Sequence, residues 1–82
     1  MKVKVIVMRK TTVLDPQGTV VREAMHHLGF AAAREVRIGR YFEIEVEGDA
    51  AAEEPKLREL CRDLLSNPVI EDFRLEMPNE HA

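Results

Sequence analysis

The 82-residue chain has no tryptophan, one tyrosine, three phenylalanines, one cysteine, four glycines and four prolines. A lone cysteine, Cys61, cannot form an intramolecular disulfide, and no cysteine–histidine spacing matches a zinc site. Both point to a reducing compartment, and the expected location is cytoplasmic. No apolar run approaches the roughly 20 residues of a membrane span. The stretch from Met1 to Met8 alternates instead of forming a signal-peptide core, so neither membrane insertion nor secretion is expected. Walker and GxGxxG sequences are missing as well. Few aromatics and a net charge of −3 leave little for nucleic acid, which asks for a clustered basic face or a stacking platform. The length excludes a two-domain enzyme, and residues 1–82 read as a single domain with a frayed tail over 78–82.

What is present is 45% hydrophobic and 33% charged, and the charge is unevenly spread. Residues 1–40 carry eight Lys and Arg against three acids, net +5, whereas residues 41–82 carry four against twelve, net −8.

Lys2 to Met8 is β-branched with near period-two alternation, which predicts a first strand with Val3, Val5 and Val7 on one face. Asp15-Pro16 then sets an N-cap acceptor before a residue suited to the first helical position. Val20, Val21, Ala24, Met25 and Leu28 form one stripe of the predicted helix, and Gly29 supplies its stop. From Glu35 to Glu47 the pattern predicts two strands meeting near Gly39-Arg40, with a single bent or bulged strand as the fallback. A second helix follows from the stripe Leu57, Leu60, Cys61, Leu64 and Leu65. Pro55 leaves Ala50 to Glu54 as either a lead-in turn or a helical stub. Asn67-Pro68 ends that helix, and Val69 to Met77 alternates as a last strand.

The order β-α-β-β-α-β predicts an α+β two-layer sandwich, with both helices on one face of an antiparallel sheet in ferredoxin-like fashion. In that topology Lys2 and Lys4 face the ladder Glu43, Glu45 and Glu47 across the outer side. Such pairs fix register more than they stabilise, at about 0.2–1 kcal/mol each.

Candidates for chemistry are few. His26 and His27 are adjacent, so on a helix they diverge and cannot chelate one ion together. Cys61 lies on an apolar stripe, where a free cysteine behaves as a small buried hydrophobe. The acid pairs Glu53-Glu54 and Glu71-Asp72 read as solvated faces, since paired-carboxylate catalysis needs a cleft that holds both groups. Gln17-Gly18 at a helix start could offer backbone N–H groups to an anion, but with no Walker or GxGxxG pattern beside it a capped helix start is the better account. The uncovered sheet face carries Ile6, Met8, Tyr41 and Ile70 with Arg37 and Arg74, a composition resembling that of protein interfaces. A contact between copies or with a partner is expected there.

Three blocks, Val13-Leu14-Asp15-Pro16-Gln17-Gly18, Val36-Arg37-Ile38-Gly39-Arg40-Tyr41 and Asn67-Pro68-Val69-Ile70-Glu71-Asp72-Phe73, closely resemble in order and spacing the PurS family. This is the small subunit of phosphoribosylformylglycinamidine synthase in purine biosynthesis. The resemblance runs from about Lys2 to Glu76. It implies a non-catalytic subunit that joins a PurQ-type glutaminase to a PurL-type synthetase and assists assembly and ammonia transfer. It implies no cofactor in this subunit, with ATP, magnesium and glutamine used by the complex, and a homodimer or higher homo-oligomer formed through the sheets. It also singles out Asp15, Pro16, Gln17 and Gly18 as an exposed loop and helix start, and Arg37, Gly39, Arg40 and Tyr41 as partner-facing. A competing reading is a small-molecule-sensing ferredoxin-like regulatory domain, which calorimetry with amino acids and nucleotides would reveal. A nucleic-acid module fits least, because the glutamate ladder repels phosphate.

Overall fold

The computed structural model describes residues 1–78, so of the expected 78–82 tail all but Pro78, together with His81, lies outside the described residues. Lys2–Arg9 forms strand β1 with the burial alternation its sequence predicts, and Val3, Val5 and Val7 are fully buried. β1 is central: β2 (Gly39–Glu45) and β3 (Glu71–Glu76) both pair with it antiparallel, in the order β2-β1-β3. Lys2 pairs with Glu45 and Lys4 with Glu43, as the charge ladder predicts. The register is pinned at one end by the Met1 amino group, which donates to the Val46 carbonyl at 2.8 Å and meets Glu45 Oε1 at 3.4 Å.

Helix α1 (Pro16–His27) starts where Asp15-Pro16 places it, with Asp15 as N-cap accepting from the Gly18 N–H. Gly29, at φ +94°, reverses the chain. The N–H of Gly29 bonds the His26 carbonyl at 3.0 Å and that of Phe30 bonds Met25 at 2.9 Å, which together close the last turn.

Helix α2 (Ala50–Leu60) settles the ambiguity around Pro55: the segment Ala50 to Glu54 is helical and Pro55 sits inside the helix. Asp49 caps it by accepting from the Ala52 N–H at 3.2 Å. Leu57 and Cys61 seal the valine face of β1, joined by the partly buried Phe42, Ile44, Phe73 and Leu75 from the flanking strands.

Four details depart from the sequence reading, within an α+β class and an antiparallel sheet that hold. First, the order is β-α-β-α-β, since Val36 to Ile38 forms no strand and Gly39 opens β2. The backbone there is committed elsewhere: Ile38 N–H donates to Asp15 Oδ2 at 2.9 Å, and the Val36 carbonyl abuts Gly18. Second, α1 adds no residue to the core that Leu57 of α2 seals, and Val20 and Leu28 of its stripe are 65% and 88% exposed. Third, α2 passes into a π-helical turn, Cys61–Leu65, whose wider winding shifts the phase of the stripe and turns Leu64 out to 72% exposure. Ser66 Oγ donates to the Cys61 carbonyl at 2.7 Å within this turn. Fourth, Val69 and Ile70 belong to the turn before β3, held by the Ile70 and Glu71 N–H groups bonding the Asn67 carbonyl.

The π-helical turn separates two leucines of one sequence stripe. Leu57→Ala is expected to destabilise the protein by about 2–4 kcal/mol through the cavity it leaves, and Leu64→Ala by no more than about 0.5 kcal/mol. Urea unfolding midpoints at unchanged slope measure both, and equal losses would mean that the turn does not divide the stripe.

Candidate partner interface and polar cleft

Asp15 is the residue on which the first region is built. Its Oδ1 accepts from Gly18 N–H and its Oδ2 from Ile38 N–H, each at 2.9 Å, so one carboxylate both starts α1 and holds the strandless segment that leads into β2. A side chain at Gly18 would collide with the Val36 backbone, which explains a glycine at this close approach. Arg37 reinforces the same junction by donating from its guanidinium to the Arg9 carbonyl at the end of β1. On the far side His26 Nε2 lies 2.6 Å from the Ala33 carbonyl and Arg22 Nη1 reaches the Arg34 carbonyl at 3.5 Å, so α1 and the segment run alongside each other. Between them lies an open cleft of about 400 Å³ lined by residues 11–15, 18, 19, 22 and 34–37.

The backbone N–H of Ile38, then that of Gly18, hold the Asp15 carboxyl below the usual carboxylate range, with Arg9 adding to the effect. Among the other groups, burial pushes the Cys61 thiol up, with Arg58 opposing, in keeping with a free cysteine buried on an apolar stripe. Among the described residues no group of three His, Cys, Asp or Glu is placed to hold a metal ion. No helix among them is long and apolar enough to cross a membrane.

The second region is the sheet face opposite α2. Ile6 pairs with Tyr41, and Met8 with Gly39, so these four residues share one patch. A Cβ at Gly39 would strike the Met8 thioether, which lets the two strands close beneath it. Around the patch Lys2 pairs with Glu43 at 3.7 Å and Arg74 with Glu76 at 3.3 Å. Tyr41 is 54% exposed.

The structure thus divides the residues singled out in the sequence. Ile6, Met8, Gly39 and Tyr41 come together on the sheet; Asp15, Gly18 and Arg37 come together at the cleft, with Pro16 and Gln17 exposed beside them. Arg37 is not on the sheet face, because it lies outside any strand. Arg40 points to the opposite face from Tyr41, bonds Glu71 Oε1 at 2.7 Å and lies 6.0 Å from the Phe42 ring centroid. Ile70 sits in the turn before β3, where its carbonyl accepts from Lys10 N–H at 2.8 Å. Sequence reasoning missed Arg22, Arg34 and the threonines of the cleft; the basic bias of residues 1–40 was their one signal.

Shape carries the class. The body measures 48 × 30 × 16 Å with a radius of gyration of 16.3 Å, where a compact chain of this length has about 12 Å. It exposes 6164 Å², where a folded monomer of 9.4 kDa exposes about 5,000 Å². With Leu14, Leu28 and Phe30 at 76%, 88% and 59% exposure, these are the marks of a small α+β assembly subunit, a chain whose surfaces are completed by other chains. Residues 2–79 match the PurS family model, described as phosphoribosylformylglycinamidine (FGAM) synthase. The chain belongs to that family. It is 43% identical over 76 residues to the PurS subunit of phosphoribosylformylglycinamidine synthase of Bacillus subtilis, covering 93% of this chain and 90% of that one. Its fold is similar to a crystal structure of Bacillus subtilis PurS, with a TM-score of 0.87 and 42% identity over 95% of this chain and 98% of that one. It is also similar to Methanocaldococcus jannaschii PurS, one of the subunits of formylglycinamide ribonucleotide amidotransferase in the purine biosynthetic pathway. There the TM-score is 0.84 and the identity 32%, over 95% of each chain. A chain in the structure of PurLQS from Thermotoga maritima shares the fold at a TM-score of 0.83 and 23% identity, over 94% of this chain and 95% of that one.

The lowered carboxyl of Asp15 has a pH signature. A depressed folded-state value stabilises the fold above the unfolded carboxylate value of about 3.9, and the contribution is lost as pH falls through the folded value. Asp15→Asn is therefore expected to lower the unfolding temperature at neutral pH and to converge with the unaltered protein in acid. A constant gap across that range would refute the assignment.

Proposed function

We propose that this chain is the non-catalytic assembly subunit of its phosphoribosylformylglycinamidine synthase, bridging a PurQ-type glutaminase and a PurL-type synthetase. The observation that carries this reading is the surplus of surface: an unpacked α1 stripe and an open sheet face on a body only 16 Å thin.

The physical need for such a subunit lies in the reaction. Glutamine hydrolysis releases ammonia, and the synthetase consumes ATP to exchange the amide oxygen of formylglycinamide ribonucleotide for that nitrogen. Ammonia that escapes to water is diluted and protonated, so the two active sites work together only when the path between them is sealed. A thin adaptor that touches both enzymes supplies the seal without chemistry of its own. ATP, magnesium and glutamine then belong to the other subunits, and the complex works in the cytoplasm.

Self-association belongs to the same reading. The patch of Ile6, Met8, Gly39 and Tyr41 contacts a second copy, with the ion pairs around it forming a polar rim. The exposed apolar stripe of α1 offers a separate surface for the larger subunits.

Two measurements test these statements. In a complex reconstituted from PurL-type and PurQ-type subunits, leaving this chain out is expected to abolish glutamine-driven turnover while ammonia-driven turnover survives; full glutamine-driven activity without it would overturn the adaptor role. In light scattering the purified chain is expected to be a dimer or larger and Tyr41→Lys to shift it toward monomer, whereas a monomer in both cases would remove the sheet patch as an interface.

A further inference from the structure

The cleft beside α1 is not accounted for by assembly. Arg22, Arg34 and Arg37 and the threonines Thr11, Thr12 and Thr19 line one opening of about 400 Å³, with the Thr19 hydroxyl donating to the Asp15 carbonyl at 3.2 Å. Elsewhere on the surface the cations are largely paired, as with Lys10 on Asp72 and Arg40 on Glu71, both at 2.7 Å. At the cleft they are not: among the described residues no carboxylate lies within ion-pair distance of Arg22, Arg34 or Arg37.

Two acids, Asp15 and Glu35, border the opening and offset part of its charge, leaving three guanidinium groups against two carboxylates. Both oxygens of Asp15 are occupied by backbone N–H groups, and Glu35 is exposed. Asp15 also caps the start of α1 itself, so the attraction for an anion comes from side chains and not from the helix end. Arg22 and Arg37 each spend one donor on a backbone carbonyl, of Arg34 and Arg9. A guanidinium has five donors, so most remain available.

We propose that this cleft binds a phosphoryl oxyanion, free or as a monoester of a small metabolite. Several guanidinium forks and hydroxyls exceed what one planar carboxylate can use, but suit a tetrahedral group with three terminal oxygens and nearly two negative charges. Val13 and Val36 supply apolar walls on which the carbon part of an ester rests.

The test is an amide-resolved NMR titration of the full chain with inorganic phosphate, glycerol phosphate and acetate at constant ionic strength. Saturable shifts at Thr11, Thr12 and Thr19 are expected with both phosphates and not with acetate, and the ratio of their affinities tells free anion from ester as the preferred source. Arg22→Gln and Arg34→Gln, which leave the Arg37 tie intact, are each expected to weaken binding by about fivefold or more, while Arg62→Gln on the π-helical turn leaves it unchanged. No saturable shift, an equal response to acetate, or undiminished binding in both cleft variants would overturn the proposal.

Discussion

The fold depends on β1 having a partner on each side. That strand is hydrogen-bonded at both edges and packed on one face, and its Val3, Val5 and Val7 supply three of the four fully buried side chains among the described residues, Cys61 being the fourth. The remaining elements are arranged by that strand. β2 and β3 take their register from it, α2 is held by the valine face through Leu57 and Cys61, and the amino group of Met1 anchors the start of the strand to the end of β2. α1 is held by polar contacts at the sheet's end, and its apolar stripe is left open.

This division explains why parts of the fold were legible in the sequence and parts were not. Patterns that depend on neighbours within one element were clear: the alternation of β1, the Asp15-Pro16 start, the Gly29 stop and the break at Asn67-Pro68 all stand where the residues put them. Patterns whose meaning depends on what covers them misled. The stripe of α1 has the periodicity of a buried helix, but periodicity says that a face is apolar and not which chain buries it. Val36 and Ile38 alternate like a strand, yet a carboxylate 23 residues earlier claims the Ile38 N–H that a strand ladder would use. The phase slip at Cys61 leaves no trace in composition, because a π-helical turn is a matter of one carbonyl's partner.

The candidate sites show the same contrast. The sheet patch was readable because strand pairing follows from alternation, so Ile6 had to meet Tyr41 once the register was set. The cleft was not, since Thr11, Arg22 and Arg34 come from three segments that only the Asp15 junction brings together. The net charge of −3 hides this arrangement entirely. Acids are concentrated along β2 and α2, where many are paired, and the unpaired cations gather around the cleft, so the molecule presents chemically different ends to whatever it meets.

The strand order also sets a schedule during synthesis. β1 emerges from the ribosome first, and one of its edges waits for β2 while the other waits for residues 71–76, the last strand to be made. Throughout that interval an exposed edge of β-branched residues is available to other nascent chains. Lys2, with an acidic partner in β2, and Lys4, with one in each later strand, act as a guard against mispairing. The span of residues 46–70 sets the length of that interval, so the open edge is a hazard of synthesis and not of the finished fold.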